Sequence, residues 1–287
     1  MRVAIVGPGR VGTLLAVAGA RAGWRIAGVA GGSEAARGRV AASVAGVRVH
    51  TAVAEAVTGA DLVLLSVPDD RIGQVVDDLV RRDALSPGQR VVHLAGSRGL
   101  DVLHRARLAG ARTAACHPAM TVPAGSRDPE LLVGVAWGVT ARADDRGWAH
   151  QLVTDLGGDP HQIAEDRRAL YHAALAVASN AVSAAVITAR RLLLAAQVER
   201  PETFLVPLAQ TSAAGAAMEG MAALTGPIAR GDVGTVATHV QHLAADLPEL
   251  LPAYRALAGA TLEPVRHHLD AEGVAALDAV LAPPSSS

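Results

Sequence analysis

The chain has 287 residues, 51% hydrophobic and 18% charged, which is enough for two domains or one large one around a sizeable core. A net charge of −1 and an aromatic content of 2% argue against a basic nucleic-acid surface, a surface for anionic membranes and a base-stacking platform. A single cysteine, Cys116, excludes an internal disulfide.

From the start of the chain, Val3–Val6 reads as an apolar strand that runs into Gly7-Pro8-Gly9-Arg10-Val11-Gly12. This is a Gly-x-Gly-x-x-Gly loop ahead of a helix predicted over Val11–Ala22, the context in which the motif binds a dinucleotide. Gly7 makes the turn, Gly9 lets the backbone approach a pyrophosphate, and Gly12 lets the helix pack on the sheet, with free N–H groups at the helix start facing the phosphates. Further strands are predicted at Arg25–Ala30, Asp61–Val67, Arg90–Leu94, Thr113–Cys116 and Val133–Val139, with helical spacing between them, as over Ile72–Val80. Alternation of this kind implies a doubly wound, mostly parallel α/β sheet, assigned to residues 1–160.

An all-α domain is expected over 161–283, with a disordered tail at 284–287. It opens on Glu165–Gln197, a helix whose middle, Ala173–Ala189, carries no charge. Its alanines, together with Ser179, Asn180, Ser183 and Thr188, favour a buried central helix over a membrane span. Further helices are predicted near 201–218, 232–245, 247–258 and 271–281, with Asp232 as a cap.

The position after the second strand holds Ala30-Gly31-Gly32-Ser33 instead of the acid that grips an NAD ribose, and Arg37 and Arg39 follow. Ser33 and Arg37 suit a 2′-phosphate, so NADP(H) is expected over NAD(H). The expected cofactor set is Gly7, Pro8, Gly9, Arg10, Val11, Gly12, Ser33, Arg37, and Val67 and Pro68 at a neighbouring strand end. Polar residues at other strand ends are His93, Ser97, His117 and Asp69, the last also a candidate helix cap. His172, Ser179, Asn180 and Ser183 draw a polar stripe along the long helix, either a site or a helix–helix seam. Thr225 and Arg230 lie in the turn Leu224–Asp232. No metal site is expected.

These segments resemble a family. Gly7–Gly12, Val67–Asp70, Val92–Ser97, Cys116–Pro118, Tyr171-His172 with Ser179-Asn180, and Ala223–Asp232 are similar to bacterial Rossmann-like proteins with a helical C-terminal domain, in the 6-phosphogluconate dehydrogenase-like superfamily. The resemblance implies an NADP-type fold with a dimerising helical domain and oxidoreductase activity. Hydroxyisobutyrate dehydrogenases and ketopantoate reductases are better-known relatives that use a catalytic lysine on or near the long helix; pyrroline-carboxylate reductases are another. All 26 basic residues here are arginine, so that lysine has no counterpart.

The reading is therefore an NADP(H)-dependent oxidoreductase acting on a small ketoacid or imine, with ketopantoate the substrate the resemblance suggests. His172 or His117 is expected to supply a proton with a pKa near neutrality, and Asn180 and Ser97 to orient the reacting group. His93, Thr225 and Arg230 are expected to bind substrate, Arg230 through a carboxylate. A homodimer through the C-terminal helices, a cytoplasmic location and no nucleic-acid or membrane partner complete the expectation. The alternative is a non-catalytic dimeric NADP(H)-binding or redox-sensing protein; hydride exchange with a deazaflavin is a third reading.

Overall fold

The structure is a computed structural model that describes residues 1–283; the tail expected at 284–287 lies outside them. In chain order the first compact unit, Met1–Val177, contains β1 (Arg2–Val6), α1 (Arg10–Arg21), β2 (Arg25–Ala30), α2 (Glu34–Ser43), β3 (Arg48–Val49), α3 (Val53–Val57), β4 (Leu62–Leu65) and α4 (Ile72–Arg81). It continues with β5 (Arg90–His93), α5 (His104–Leu108), β6 (Arg112–Pro118), β7 (Ala136–Ala141), α6 (Ala143–Asp155), β8 (Asp159–Gln162) and α7 (Arg168–Ala176).

The strands form one sheet in the order β3-β2-β1-β4-β5-β6-β7-β8, parallel except for the antiparallel β6–β7 pair. Strand alternation sorts the core into two layers. Val3, Ile5, Leu62, Leu64 and Cys116 face α1 and α6 through Leu14, Leu15, Trp148 and Leu152. Ala4, Val6, Val63 and Leu65 face Ile72, Val76, Leu79 and Leu103 on the opposite side. The chain winds outward from β1 in one direction and from β4 in the other. The crevice at the carboxyl ends of β1 and β4 is thus the topological switch point, where ligands of such sheets bind.

Two strands escaped the sequence pattern. β3 has only two residues, and β8 reads Asp-Pro-His-Gln, an edge strand without apolar alternation. β8 pairs with β7, so the sheet extends to residue 162. The compact units divide at Val177, inside the long helix, whereas the sequence placed the boundary at 160.

The predicted helix 165–197 is a 3₁₀ turn (Glu165–Arg167), α7, a π turn (Val177–Ala181) and α8 (Val182–Ala195). The π turn inserts extra backbone, so the regular spacing that drew the polar stripe does not hold across it. Glu165–Ala195 is long and apolar enough to cross a membrane by length and composition, with a mean hydropathy of 1.5. None of its most apolar 18-residue stretch is buried, which corrects the expectation of a buried central helix.

The second unit, from Ala178 onward, continues with α9 (Glu202–Glu219), α10 (Val233–Asp246), α11 (Leu251–Val265) and α12 (Ala271–Leu281). Its core is small: Val236, Leu262, Val265 and Leu277 form one cluster, and Leu243, Leu250 and Leu251 another. Asp232 caps α10 as expected, accepting from the Thr235 backbone N–H at 3.0 Å and from its hydroxyl at 2.7 Å.

Candidate functional site

The glycine loop is built as its spacing requires. Gly7 has φ +90° and donates to the Ala30 carbonyl at 2.9 Å, tying the loop to the end of β2. A Cβ on Gly12 would strike Ser66 Oγ and lie 2.5 Å from the Gly7 carbonyl oxygen. Ser66, just past β4, donates its hydroxyl to that same carbonyl. It is a loop residue that the sequence reading missed, since one serine after an apolar strand carries no signal of its own. A Cβ on Gly9 would meet no protein atom within 4 Å. The open side of the loop is thus kept clear for something other than protein, which fits the pyrophosphate of a dinucleotide.

The turn after β2 is engaged with itself. Ser33 Oγ caps α2, accepting from the Ala36 N–H at 3.2 Å. Arg37 Nη1 donates to the carbonyls of Gly32 at 2.8 Å and Gly31 at 3.3 Å. Both residues expected to hold a 2′-phosphate therefore stabilise their own turn here.

A second group of side chains lies over the ends of β4, β5 and β6. His93 is fully buried, accepts from the Ala95 N–H at Nδ1 (3.2 Å) and donates from Nε2 to the Gly99 carbonyl (2.8 Å). These two bonds fix the neutral tautomer, and burial pushes its pKa down to about 4. Both nitrogens of His93, expected as a substrate ligand, are held by main chain, so that its ring shapes the loop 94–100. The same loop is gripped by Glu165, whose carboxylate accepts from the Leu100 N–H at 2.7 Å, and by Ser97, whose hydroxyl donates to Asp69 at 3.2 Å. Asp69 makes no helix cap.

Under this loop lies Arg168, 1% exposed. Its guanidinium donates to the Ala95 carbonyl (2.7 Å), the Thr140 hydroxyl (3.0 Å) and the Gly138 carbonyl (3.3 Å), while its Nε has no partner. Burial lowers its pKa. No sequence signal marked this buried cation, because Arg167-Arg168 at a helix start reads as a solvated pair.

Above it, Tyr171 lies against Gly138, where a Cβ would come within 2.5 Å of the ring. The Tyr171 hydroxyl and His117 Nδ1 share a hydrogen bond of 3.0 Å, their rings edge to face. His172 stands edge to face with His117 on the other side, ring centres 6.1 Å apart, and Gly96 fits between the two imidazoles. Burial, then the Arg168 charge, then His172 push the His117 pKa down to about 4. This corrects the near-neutral value expected of it: at pH 7 His117 is uncharged. Burial raises the Tyr171 pKa above its usual 10, against the opposing pull of Arg168 and the Gly138 main chain, so its hydroxyl holds its proton at neutral pH.

The structure thus brings together Ser97, His117 and His172, with Tyr171 and Arg168 added. The other candidates belong to the second unit. Asn180 is exposed, in the π turn, and its side-chain oxygen accepts from Ser179 Oγ at 3.4 Å. Arg230 is exposed and donates to the Thr225 carbonyl within its own turn.

Residues 1–118 match the model of the Rossmann-like domain, and residues 135–261 that of a domain of unknown function, DUF2520. No curated protein matches the chain. Among solved structures it is similar to a Bacteroides fragilis protein described as a candidate NADP oxidoreductase, at 22% identity and TM-score 0.77 over 91% of this chain and 98% of that one. It is also similar to an imine reductase from Myxococcus stipitatus in complex with NADP+, at 19% identity and TM-score 0.66 over 93% of each chain. A Plasmodium falciparum pyrroline carboxylate reductase with NADP bound gives 12% identity and TM-score 0.59 over 96% and 98%. At these identities the likeness is one of fold.

Proposed function

We propose that this chain, which joins a Rossmann-like domain to a DUF2520 domain, is an NADP(H)-dependent oxidoreductase that reduces a small imine or carbonyl compound. The observation that carries the reading is the Tyr171–His117 pair at the strand ends, in a chain without lysine. Two neighbours of the same fold are named as reductases of an imine and of pyrroline carboxylate, which favours a C=N substrate.

Gly7, Pro8, Gly9, Arg10, Val11 and Gly12 would hold the dinucleotide, with Val67 and Pro68 beside them; when bound, its nicotinamide supplies the hydride. The chain supplies the proton. With His117 neutral at working pH and bonded to its oxygen, the Tyr171 hydroxyl is the donor we favour, passing its proton to the substrate nitrogen or oxygen. In the Nδ1–H tautomer His117 donates to the phenolic oxygen and stabilises the phenolate left behind. The Arg168 charge, 5.8 Å from the Tyr171 ring, favours the same anion. His172, edge to face with His117, and Ser97, bonded to Asp69, border this pair and orient the reacting group.

The test is NADPH oxidation by purified protein across a panel of small cyclic imines and 2-ketoacids. Tyr171→Phe is expected to lower kcat by about 10²–10⁴-fold while leaving the NADPH Kd unchanged. The wild-type rate should stay flat from about pH 5 to 8 and fall only as Tyr171 ionises above 10. A rate limb near pH 6–7 would return the proton to a histidine. NADPH binding without turnover on any substrate would favour the non-catalytic alternative.

The second unit supports a homodimer. α8 buries none of its residues within the chain and α9 only Leu205, leaving Ile187, Phe204 and Leu208 exposed.

A further inference from the structure

We propose that a cavity beside the first turn of α1 is a phosphate site of the dinucleotide, clamped by Arg10, Arg39 and Arg127; the inference rests on the cofactor reading above. The cavity measures about 300 Å³ and is lined by Gly9, Arg10, Thr13, Arg39, Ser126 and Arg127. Its cations come from separate parts of the chain. Arg10 opens α1, Arg39 lies on α2, and Arg127 belongs to the connection between β6 and β7.

No carboxylate lines the cavity, and none of the three arginines forms an ion pair among the described residues. Guanidinium groups that share a cavity without a counter-charge repel one another, and an anion seated between them removes that repulsion. Their planar forks match phosphate oxygens. Gly9, on the cavity wall, leaves room that no protein atom fills within 4 Å of an added Cβ. The clamp is also braced. Arg127 Nη1 donates to Ser43 Oγ at 3.1 Å, and that hydroxyl donates to the Arg39 carbonyl at 2.7 Å, so both cations hang from the end of α2. Arg37 is held by its own turn, which leaves phosphate recognition to these three.

The dinucleotide offers two sources of this chemistry, the 2′-phosphate and the pyrophosphate. Titration calorimetry with NADP+ and with NAD+ on wild type, Arg39→Gln and Arg127→Gln separates them. Both side chains are exposed, so far-UV circular dichroism should not change. Each variant is expected to raise the NADP+ Kd at least about tenfold, since each removes a charge-assisted contact. An unchanged NAD+ Kd assigns the cavity to the 2′-phosphate, and an equal loss for both cofactors assigns it to the pyrophosphate. Inorganic phosphate should compete with NADP+ on wild type and compete less on Arg127→Gln. Wild-type NADP+ affinity in both variants overturns the clamp while leaving the cofactor reading intact. A wild-type protein that binds neither dinucleotide overturns both.

Discussion

His93 and His117 stand at the ends of adjacent strands, and burial holds both imidazoles neutral with a pKa of about 4. In an unfolded chain each would titrate near 6.5. Between these values the unfolded state binds protons that the native state refuses, so stability is complete above about pH 6.5 and declines as pH falls toward 4. For His93, fully buried, the shift corresponds to roughly 3 kcal/mol. Urea midpoints recorded from pH 7 to 4 should therefore fall in wild type. His93→Gln should show a shallower slope in the same window; an unaltered slope would mean the imidazole titrates alike in both states. At this scale the sequence was only half legible. Residue type and strand-end position marked both histidines, yet their roles differ by what the other ring nitrogen touches. His93 is closed off by Ala95 and Gly99, while His117 reaches Tyr171.

Among the elements, the β1–loop–α1 unit was the most legible, because each glycine answers to a separate steric demand. Gly12→Ala tests the closest of these contacts. Its methyl group would collide with Ser66 Oγ and the Gly7 carbonyl, lifting α1 from the sheet. Chemical denaturation should show a loss of about 1–3 kcal/mol, with NADPH binding weakened by tenfold or more. Adding Ser66→Ala should recover only part of this, since the carbonyl contact at 2.5 Å remains. The long helix was less legible. Its length and apolar middle were plain, but a π turn has no period that a sequence displays, and the exposure of α8 depends on which neighbours the chain provides. Arg168 was hidden for a related reason: its partners are the Gly138 and Ala95 carbonyls and the Thr140 hydroxyl, 28–73 residues away, which no local pattern records.

For the molecule as a whole, the second unit leaves large apolar side chains exposed along α8 and α9. Ile187 is 61%, Phe204 59% and Leu208 64% accessible. If these helices join two copies, light scattering should report a dimer for wild type and a monomer for Phe204→Asp/Leu208→Asp, with the NADP+ Kd retained. A wild-type monomer at micromolar concentration would remove this reading. Fold class followed from the alternating apolar runs, whereas the division of the chain did not, because β8 carries a polar sequence and α7 presents Arg168 and Tyr171 to the sheet.

The antiparallel pairing of β6 with β7 bears on modularity. The Rossmann-like match ends at residue 118 and the DUF2520 match begins at 135, yet Ala114–Pro118 and Trp137–Ala141 are bonded strand to strand. The seam between the two families thus runs through the middle of a continuous sheet. A fragment severed there would bare a row of unsatisfied amides along β6, an invitation to intermolecular strand addition. It would also part His117 from Tyr171. The two family matches and the two compact units divide the same chain at different places.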